Sequence, residues 1–178
     1  MKNIILLFLA LISLNLLSQK QKTTTFHRML ILNEERKMLV VKIKNKDFWV
    51  TPGLYQNSKQ SIKKGMDSIA KTYGLDVVDV KLRGIYGLKK LLENYYSTRN
   101  IFVMKTNTVN TKLPKILDNA KWLSINKAVK LINIPHINFF IKDVFQFPEM
   151  LRFGTVSIVK IDGKNVSKIE EEFYSLEK

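Results

Sequence analysis

Cysteine is absent from this 178-residue sequence, which excludes disulfide bonds, cysteine nucleophiles and cysteine-ligated metals. Glycine and proline are scarce, with 7 and 4 residues, and no low-complexity run is present, which argues against long disordered segments. The two histidines, His27 and His136, are far apart and have no companion ligands in the sequence, so neither predicts a metal site. With 46% hydrophobic residues, the chain can form the single core of one ordinary domain.

Acidic residues are also few, with 15 against 30 basic residues and a net charge of +15. Such a surface attracts anions, including phosphorylated ligands, nucleic acids and an acidic envelope. Only five of the basic residues are arginine, and the lysines are scattered rather than clustered with aromatic residues, unlike typical nucleic-acid-binding proteins. A compositional bias toward Lys, Asn and Ile accounts for the charge equally well. An anionic small molecule therefore stays open as a partner, and nucleic acid is disfavoured.

The sequence has one long hydrophobic run, from Ile4 to Leu17 behind the charged Lys2. A transmembrane helix needs roughly 20 apolar residues, so this shorter run predicts a signal peptide at residues 1–19, cleaved near Ser18. The protein is then exported, to the periplasm or beyond the cell. The alternative is an uncleaved segment that anchors the protein to a membrane.

The pattern after this segment predicts a mixed α/β domain. Residues 20–25 predict a flexible lead-in, and apolar runs at 26–32 and 37–43 predict a hairpin of two strands. The remaining predicted elements are strands at 77–88, 95–106, 121–124 and 153–161 and helices after Ser124, at 138–147 and at 167–176. The last helix is expected because Ser167 and Glu170 have capping-box spacing.

A helix is also predicted behind the break at Pro52-Gly53. Apolar residues between Ile62 and Tyr73 recur at helical spacing, and Asn57 or Ser58 can cap the start. Gly74 stands where a left-handed glycine ends many helices. Periodicity and capping predict this helix on their own.

The combination of Trp49, Pro52-Gly53, the helix and Gly74-Leu75 resembles the Nudix box of the Nudix hydrolase superfamily, with Ile69 at its internal apolar position. The resemblance implies an α/β/α sandwich with a mixed β-sheet over residues 26–147. Residues 148–178 are expected to form a strand–helix extension packed on the same domain, which could cover a sheet edge or form a homodimer contact.

The acidic residues that this box would need are missing. With Gly53 as its first position, the family's glutamates would stand where this chain has Lys59, Ser68, Lys71 and Thr72, and its arginine where this chain has Asp67. In that family the glutamates hold divalent metals, and Mg²⁺ requires such carboxylate oxygens. We therefore predict no metal site, no cofactor, and a role in binding or envelope interaction instead of diphosphate hydrolysis.

Two alternatives stay open. The first is a hydrolase of nucleoside diphosphate derivatives whose Mg²⁺ ligands come from Asp67, Glu93 and Asp79. The second is a basic module that binds anionic polymers. The candidate ligand-binding residues are Lys59, Lys71, Trp49 and Tyr95, as two ammonium groups and two aromatic rings that could line a pocket.

Overall fold

The computed structural model describes residues 21–108 and 110–176, so the signal peptide predicted for residues 1–19 lies outside the described residues. Nine strands and three α-helices are formed within these ranges. The strands are β1 (Lys22–Leu32), β2 (Met38–Ile43), β3 (Trp49–Val50), β4 (Gly53–Tyr55), β5 (Val77–Lys90), β6 (Tyr95–Thr106), β7 (Leu117–Leu123), β8 (Arg152–Ile161) and β9 (Lys164–Ser175). The helices are α1 (Ile62–Thr72), α2 (Ile125–Leu131) and α3 (Pro135–Gln146).

The strands form one mixed sheet in the order β3-β2-β1-β6-β5-β8-β9, with β4 paired to β1 and β7 paired to β2. Two neighbouring pairs are parallel, β1 with β6 and β5 with β8. The continuous apolar run at 29–32 explains why β1 lies near the middle, since a central strand is buried on both faces.

Helices cover both faces of the sheet. Met29 and Ile31 of β1 point to the core under α1, whereas Leu30 and Leu32 point to the core under α2 and α3. This alternation is the period of two expected of a strand. The α/β/α sandwich with a mixed sheet, predicted from the sequence, is confirmed. None of the described helices is long and apolar enough to cross a membrane.

Helix α1 begins later than predicted. Asn57 accepts a hydrogen bond from the Lys59 backbone N–H at 2.8 Å, which folds that segment into a turn. Ser61 caps the helix instead, and its hydroxyl accepts from Lys64 N at 3.3 Å. The predicted end is found, because Gly74 adopts a φ of +69° directly after the helix.

The C-terminal helix predicted for residues 167–176 is wrong, because these residues belong to β9. Asp162 and Gly163, with φ of 49° and 75°, form a tight turn that folds β9 back along β8. Cross-strand pairing outweighs the local capping-box pattern here, since β8 is itself held in the sheet by β5. The lead-in predicted for residues 20–25 also differs, because residues 22–25 extend β1 along β6.

A buried ionic network ties α3 to the sheet. Asp143 accepts hydrogen bonds from Arg152 at 3.0 to 3.2 Å and from the Tyr86 hydroxyl at 2.6 Å. Burial and the Asp143 carboxylate together raise the pKa of Tyr86 well above its usual range. Arg152 also donates to the Phe173 carbonyl at 2.8 Å. Every charge in this network therefore has a partner, as buried charges require.

Candidate functional site

The Pro-Gly loop is packed tightly against β1. The Pro52 carbonyl accepts a hydrogen bond from Met29 N at 2.9 Å, and Gly53 pairs with Arg28. A Cβ on Gly53 would meet the His27 carbonyl oxygen at 2.7 Å, so only glycine allows this approach. At the other end of α1, Leu75 is buried and donates to the Ala70 carbonyl at 2.9 Å.

The positions that would carry the box glutamates are at the surface. Lys59, Ser68, Lys71 and Thr72 are all exposed, and the Thr72 hydroxyl donates to the Ser68 carbonyl at 2.8 Å. Asp67, the only acid of α1, is bound to Lys63 at 2.7 Å. This surface presents ammonium and hydroxyl groups to solvent.

The residues present do not fit a magnesium centre. Within residues 21–108 and 110–176, no three His, Asp or Glu side chains are grouped so that they could hold a metal ion. Glu93 is bound to Lys90 at 2.9 Å, at one end of β5. Asp79 lies near the other end of that strand, roughly 36 Å from Lys90 at about 3.3 Å per residue. The proposed alternative ligands Asp67, Glu93 and Asp79 are therefore not brought together.

An apolar groove of about 360 Å³ lies beside the loop and α1. Its lining includes Val41, Leu54, Ile69, Thr72, Tyr73 and Ile116, and no charged residue. A diphosphate would find no charged group in this groove. The groove reaches Phe26, Thr51 and Tyr55. These three residues contact the buried side chains of Arg28 and Arg99.

Two of the four candidate ligand-binding residues, Lys59 and Lys71, are exposed to solvent. Trp49 packs partly against the core beneath α2 and α3, and Lys121 Nζ lies 5.0 Å from the centre of its ring. The structure does not bring these three together. Tyr95 lies elsewhere, in a cluster of buried cationic and aromatic side chains.

This second site, which we call the arginine cluster, consists of Phe26, Arg28, Tyr95, Arg99 and His136. The parallel register of β1 and β6 places Phe26 beside Arg99, with Arg28 two residues further along the same face. Arg28 and Arg99 are only 6% and 7% exposed. Both guanidinium carbons lie 5.1 Å from the centre of the Phe26 ring.

The hydrogen bonds of these two arginines are incomplete. Arg28 Nη1 donates to the Thr51 hydroxyl at 2.8 Å and weakly to the Thr51 carbonyl at 3.4 Å. Arg99 Nη2 reaches the Tyr95 hydroxyl only at 3.5 Å, and the buried Arg99 Nε has no partner in the described part of the chain. A guanidinium has five N–H donors, so both side chains retain donors for a further group.

No carboxylate of residues 21–108 or 110–176 forms an ion pair with Arg28 or Arg99. Burial, followed by the charge of Arg99, lowers the pKa of Arg28 to about 9. Arg152 is buried to the same degree but is paired with Asp143. The cluster thus holds two buried positive charges that no carboxylate among the described residues neutralises.

His136 is the member of the cluster that comes from α3, and the charges of Arg28 and Arg99 reach its imidazole. It lies in the first turn of α3, directly after Pro135, and no side chain caps that helix. Burial first, then the charges of Arg28, Arg99 and Lys90, lower the pKa of His136 to about 3, so the imidazole is neutral at physiological pH. The uncapped helix N-terminus adds partial positive charge.

The hydroxyl of Tyr95 is part of a polar row on the same strands. It lies 2.7 Å from the Thr24 hydroxyl, which also donates to Ser97 at 3.0 Å. Burial alone would raise the pKa of Tyr95, but hydrogen bonds from Ser97 and Thr24 and the charge of Arg99 outweigh it and lower that pKa. The charge of Arg99 therefore acts on the Tyr95 hydroxyl as well as on Arg28.

Arg28 and Arg99 are not predicted as site residues from the sequence. They are distant in sequence, and only the β1–β6 pairing brings them together. One signal was available, since Arg28 is a charged residue inside an apolar run that predicts a buried strand.

Comparison with solved structures places this architecture among Nudix and MutT proteins. The structure of a MutT protein from Bacillus halodurans matches with a TM-score of 0.63 and 16% identity, over 83% of this chain and 97% of that chain. A Nudix hydrolase from Nitrosomonas europaea matches with a TM-score of 0.56 and 18% identity, over 70% of this chain and 90% of that chain. An ADP-ribose pyrophosphatase from Streptococcus suis matches with a TM-score of 0.54 and 17% identity, over 73% and 98%.

At these identities the likeness concerns the fold, and the chain has a Nudix-like fold. No protein-family model matches the sequence, and no curated protein does so.

Proposed function

We propose that this protein is a Nudix-fold binding protein that takes an anionic small molecule and does not hydrolyse diphosphates with the help of Mg²⁺. The observation that carries the proposal is the chemistry of the box. Its glutamate positions hold Lys59, Ser68, Lys71 and Thr72, all exposed, on a scaffold whose loop and helix are otherwise intact. The apolar run at residues 4–17 supports export as the setting of this function.

Electrostatics disfavours metal binding at these positions. Mg²⁺ is held in proteins by carboxylate oxygens and waters, and neither an ammonium group nor a hydroxyl can replace a carboxylate charge. At about 4 Å, each nearby ammonium would add roughly 1 kcal/mol of repulsion per unit charge in water and about 4 kcal/mol near a protein surface. The unpaired guanidiniums of Arg28 and Arg99 supply instead the positive field that an anionic ligand needs.

The hydrolase alternative receives less support, because its three candidate ligands are separated and two of them are engaged. Asp67 is bound to Lys63 and Glu93 to Lys90. The polymer-binding alternative rests on the net charge of +15 alone. Steep loss of binding with added salt would be its signature.

Phosphate release from nucleoside diphosphate derivatives, in the presence of Mg²⁺ or Mn²⁺, tests the proposal. We expect no release above the buffer rate from protein whose folding is verified by circular dichroism. The matched positive control is the variant Lys59→Glu, Ser68→Glu, Lys71→Glu, Thr72→Glu, which returns four carboxylates to exposed positions. Metal binding by this variant, measured by calorimetry, shows that the scaffold can present them.

Metal-dependent turnover by the unchanged protein would contradict the proposal. If Asp67→Ala then abolished that turnover, the hydrolase alternative with relocated ligands would be correct.

A further inference from the structure

The arginine cluster contains two positive charges that are removed from water and have no counter-ion within the part of the chain that the structure describes. Such an arrangement is unfavourable in the ligand-free protein, because burying an ionised group without a partner carries a large desolvation cost. Arg28 and Arg99 also repel each other, and that repulsion contributes to the lowered pKa of Arg28. An anion bound between them would remove both penalties.

We propose that the arginine cluster is a binding site for a phosphate dianion, carried either by inorganic phosphate or by the terminal phosphate of a small phosphomonoester. This inference rests on the proposed binding function and specifies its ligand class. Arg28 and Arg99 hold the phosphate oxygens, and Tyr95 lies beside Arg99 at the rim.

The donors of the cluster suit phosphate. The buried Nε of Arg99 has no partner within the described residues, and Arg28 uses Nη1 for Thr51. A guanidinium offers its N–H groups as a planar fork that matches two oxygens of a phosphate.

The charge of the cluster distinguishes a dianion from a monoanion. Two guanidiniums are buried here, whereas the nearby Lys90 ammonium is already paired with Glu93 at 2.9 Å. A phosphomonoester carries a charge of about −1.5 to −2 at pH 7, which balances both arginines. A carboxylate would leave one of them uncompensated.

Tyr55 forms the exposed side of the cluster. Tyr55 is 55% exposed, and its ring lies 5.9 Å from the Arg99 guanidinium carbon. Lys90 lies on the same rim, with its Nζ 5.5 Å from the Tyr95 ring. The phosphate would enter here and the organic part of a phosphomonoester would stay outside, since Arg28 and Arg99 themselves are almost completely covered.

Isothermal titration of the purified protein with inorganic phosphate and with phenyl phosphate, in EDTA at pH 7.5, tests this inference. We expect both to bind, acetate to bind at least tenfold more weakly, and Arg28→Met or Arg99→Met to weaken phosphate binding about 10- to 100-fold. Lys160→Gln removes an exposed charge from β8 and should leave the affinity unchanged. Arg99→Lys keeps the charge but loses the fork and should have an intermediate effect.

Absence of phosphate binding by the unchanged protein would overturn the inference, and so would equal binding by Lys160→Gln and both arginine variants. Acetate binding as tight as phosphate would overturn the choice of a dianion. Preference for phenyl phosphate over inorganic phosphate would identify a phosphomonoester as the better ligand. Because metal is absent throughout, these results are independent of the turnover assay that tests the proposed function.

Discussion

Replacing Arg99 and Arg152 with methionine compares two arginines that are buried to the same degree, at 7% and 6% exposure, but differ in their partners. Methionine is similar in length and carries no charge. If the unpaired charge of the arginine cluster costs stability, Arg152→Met should lower the free energy of unfolding, whereas Arg99→Met should leave it unchanged or raise it.

The expected loss of unfolding free energy in Arg152→Met follows from the Asp143 carboxylate that stays buried. Asp143 would keep only the hydrogen bond from Tyr86 and lose three contacts with Arg152. Removing one partner of a buried ion pair costs about 3–5 kcal/mol, because it leaves an uncompensated charge. At about 2–4 °C per kcal/mol for a chain of this size, the Tm should fall by roughly 6–20 °C.

Arg99→Met removes fewer stabilising interactions than Arg152→Met. The substitution deletes one 3.5 Å hydrogen bond to Tyr95 and the cation–π contacts with Phe26 and Tyr55, each worth roughly 0.5–1 kcal/mol. It also removes a desolvation penalty of several kcal/mol and the repulsion with Arg28. We expect the ligand-free variant to be as stable as the unchanged protein or about 1–2 kcal/mol more stable.

The measurement is urea unfolding in phosphate-free buffer at pH 7, with the slope of the transition checked for equality between variants. A loss of about 3 kcal/mol or more in Arg99→Met would refute the reasoning. It would show that Arg99 is satisfied by the protein itself and belongs to the structural framework in the way that Arg152 does.

Three further predictions concern single positions. His136 takes up a proton near pH 6.5 in the unfolded chain but only near pH 3 in the folded protein, so the free energy of unfolding should fall as the pH drops through that range. In urea unfolding at several pH values, His136→Gln should lose this part of the pH dependence. Identical pH profiles for the two proteins would contradict the prediction. Gly74→Ala places a side chain at a φ of +69° and should cost about 1 kcal/mol in urea unfolding, whereas an unchanged midpoint would argue against a left-handed residue there. Asp67→Ala breaks only an exposed pair with Lys63 and should change stability by no more than about 0.5 kcal/mol in thermal denaturation.

Local patterns predicted the parts of the fold that local interactions specify. The apolar residues at helical spacing after Pro52-Gly53 form α1, and the left-handed Gly74 follows its end. Both signals were readable because they act within a few residues of the chain. The strand predicted at 95–106 is β6, from Tyr95 to Thr106. These predictions succeeded because one face of each element must be buried, and that requirement is visible as a period in the sequence.

The C-terminal segment shows where local patterns fail. Ser167 and Glu170 have the spacing of a capping box, yet the segment pairs with β8 along almost its whole length. The free energy of a strand comes from a neighbour that the segment's own sequence does not describe. The same holds for residues 22–25, whose strand depends on β6.

The sequence by itself determined that the loop and helix of the box are kept while Lys59, Ser68, Lys71 and Thr72 replace its acids, since residue identity at a fixed spacing is enough to judge metal chemistry. Only the tertiary structure decided that Arg28 and Arg99 form one site. Their meeting depends on the parallel register of two strands that are distant in the chain, and their electrostatic state depends on their burial in the folded domain. Neither the register nor the burial is encoded within a short segment, because both arise from the packing of the whole domain.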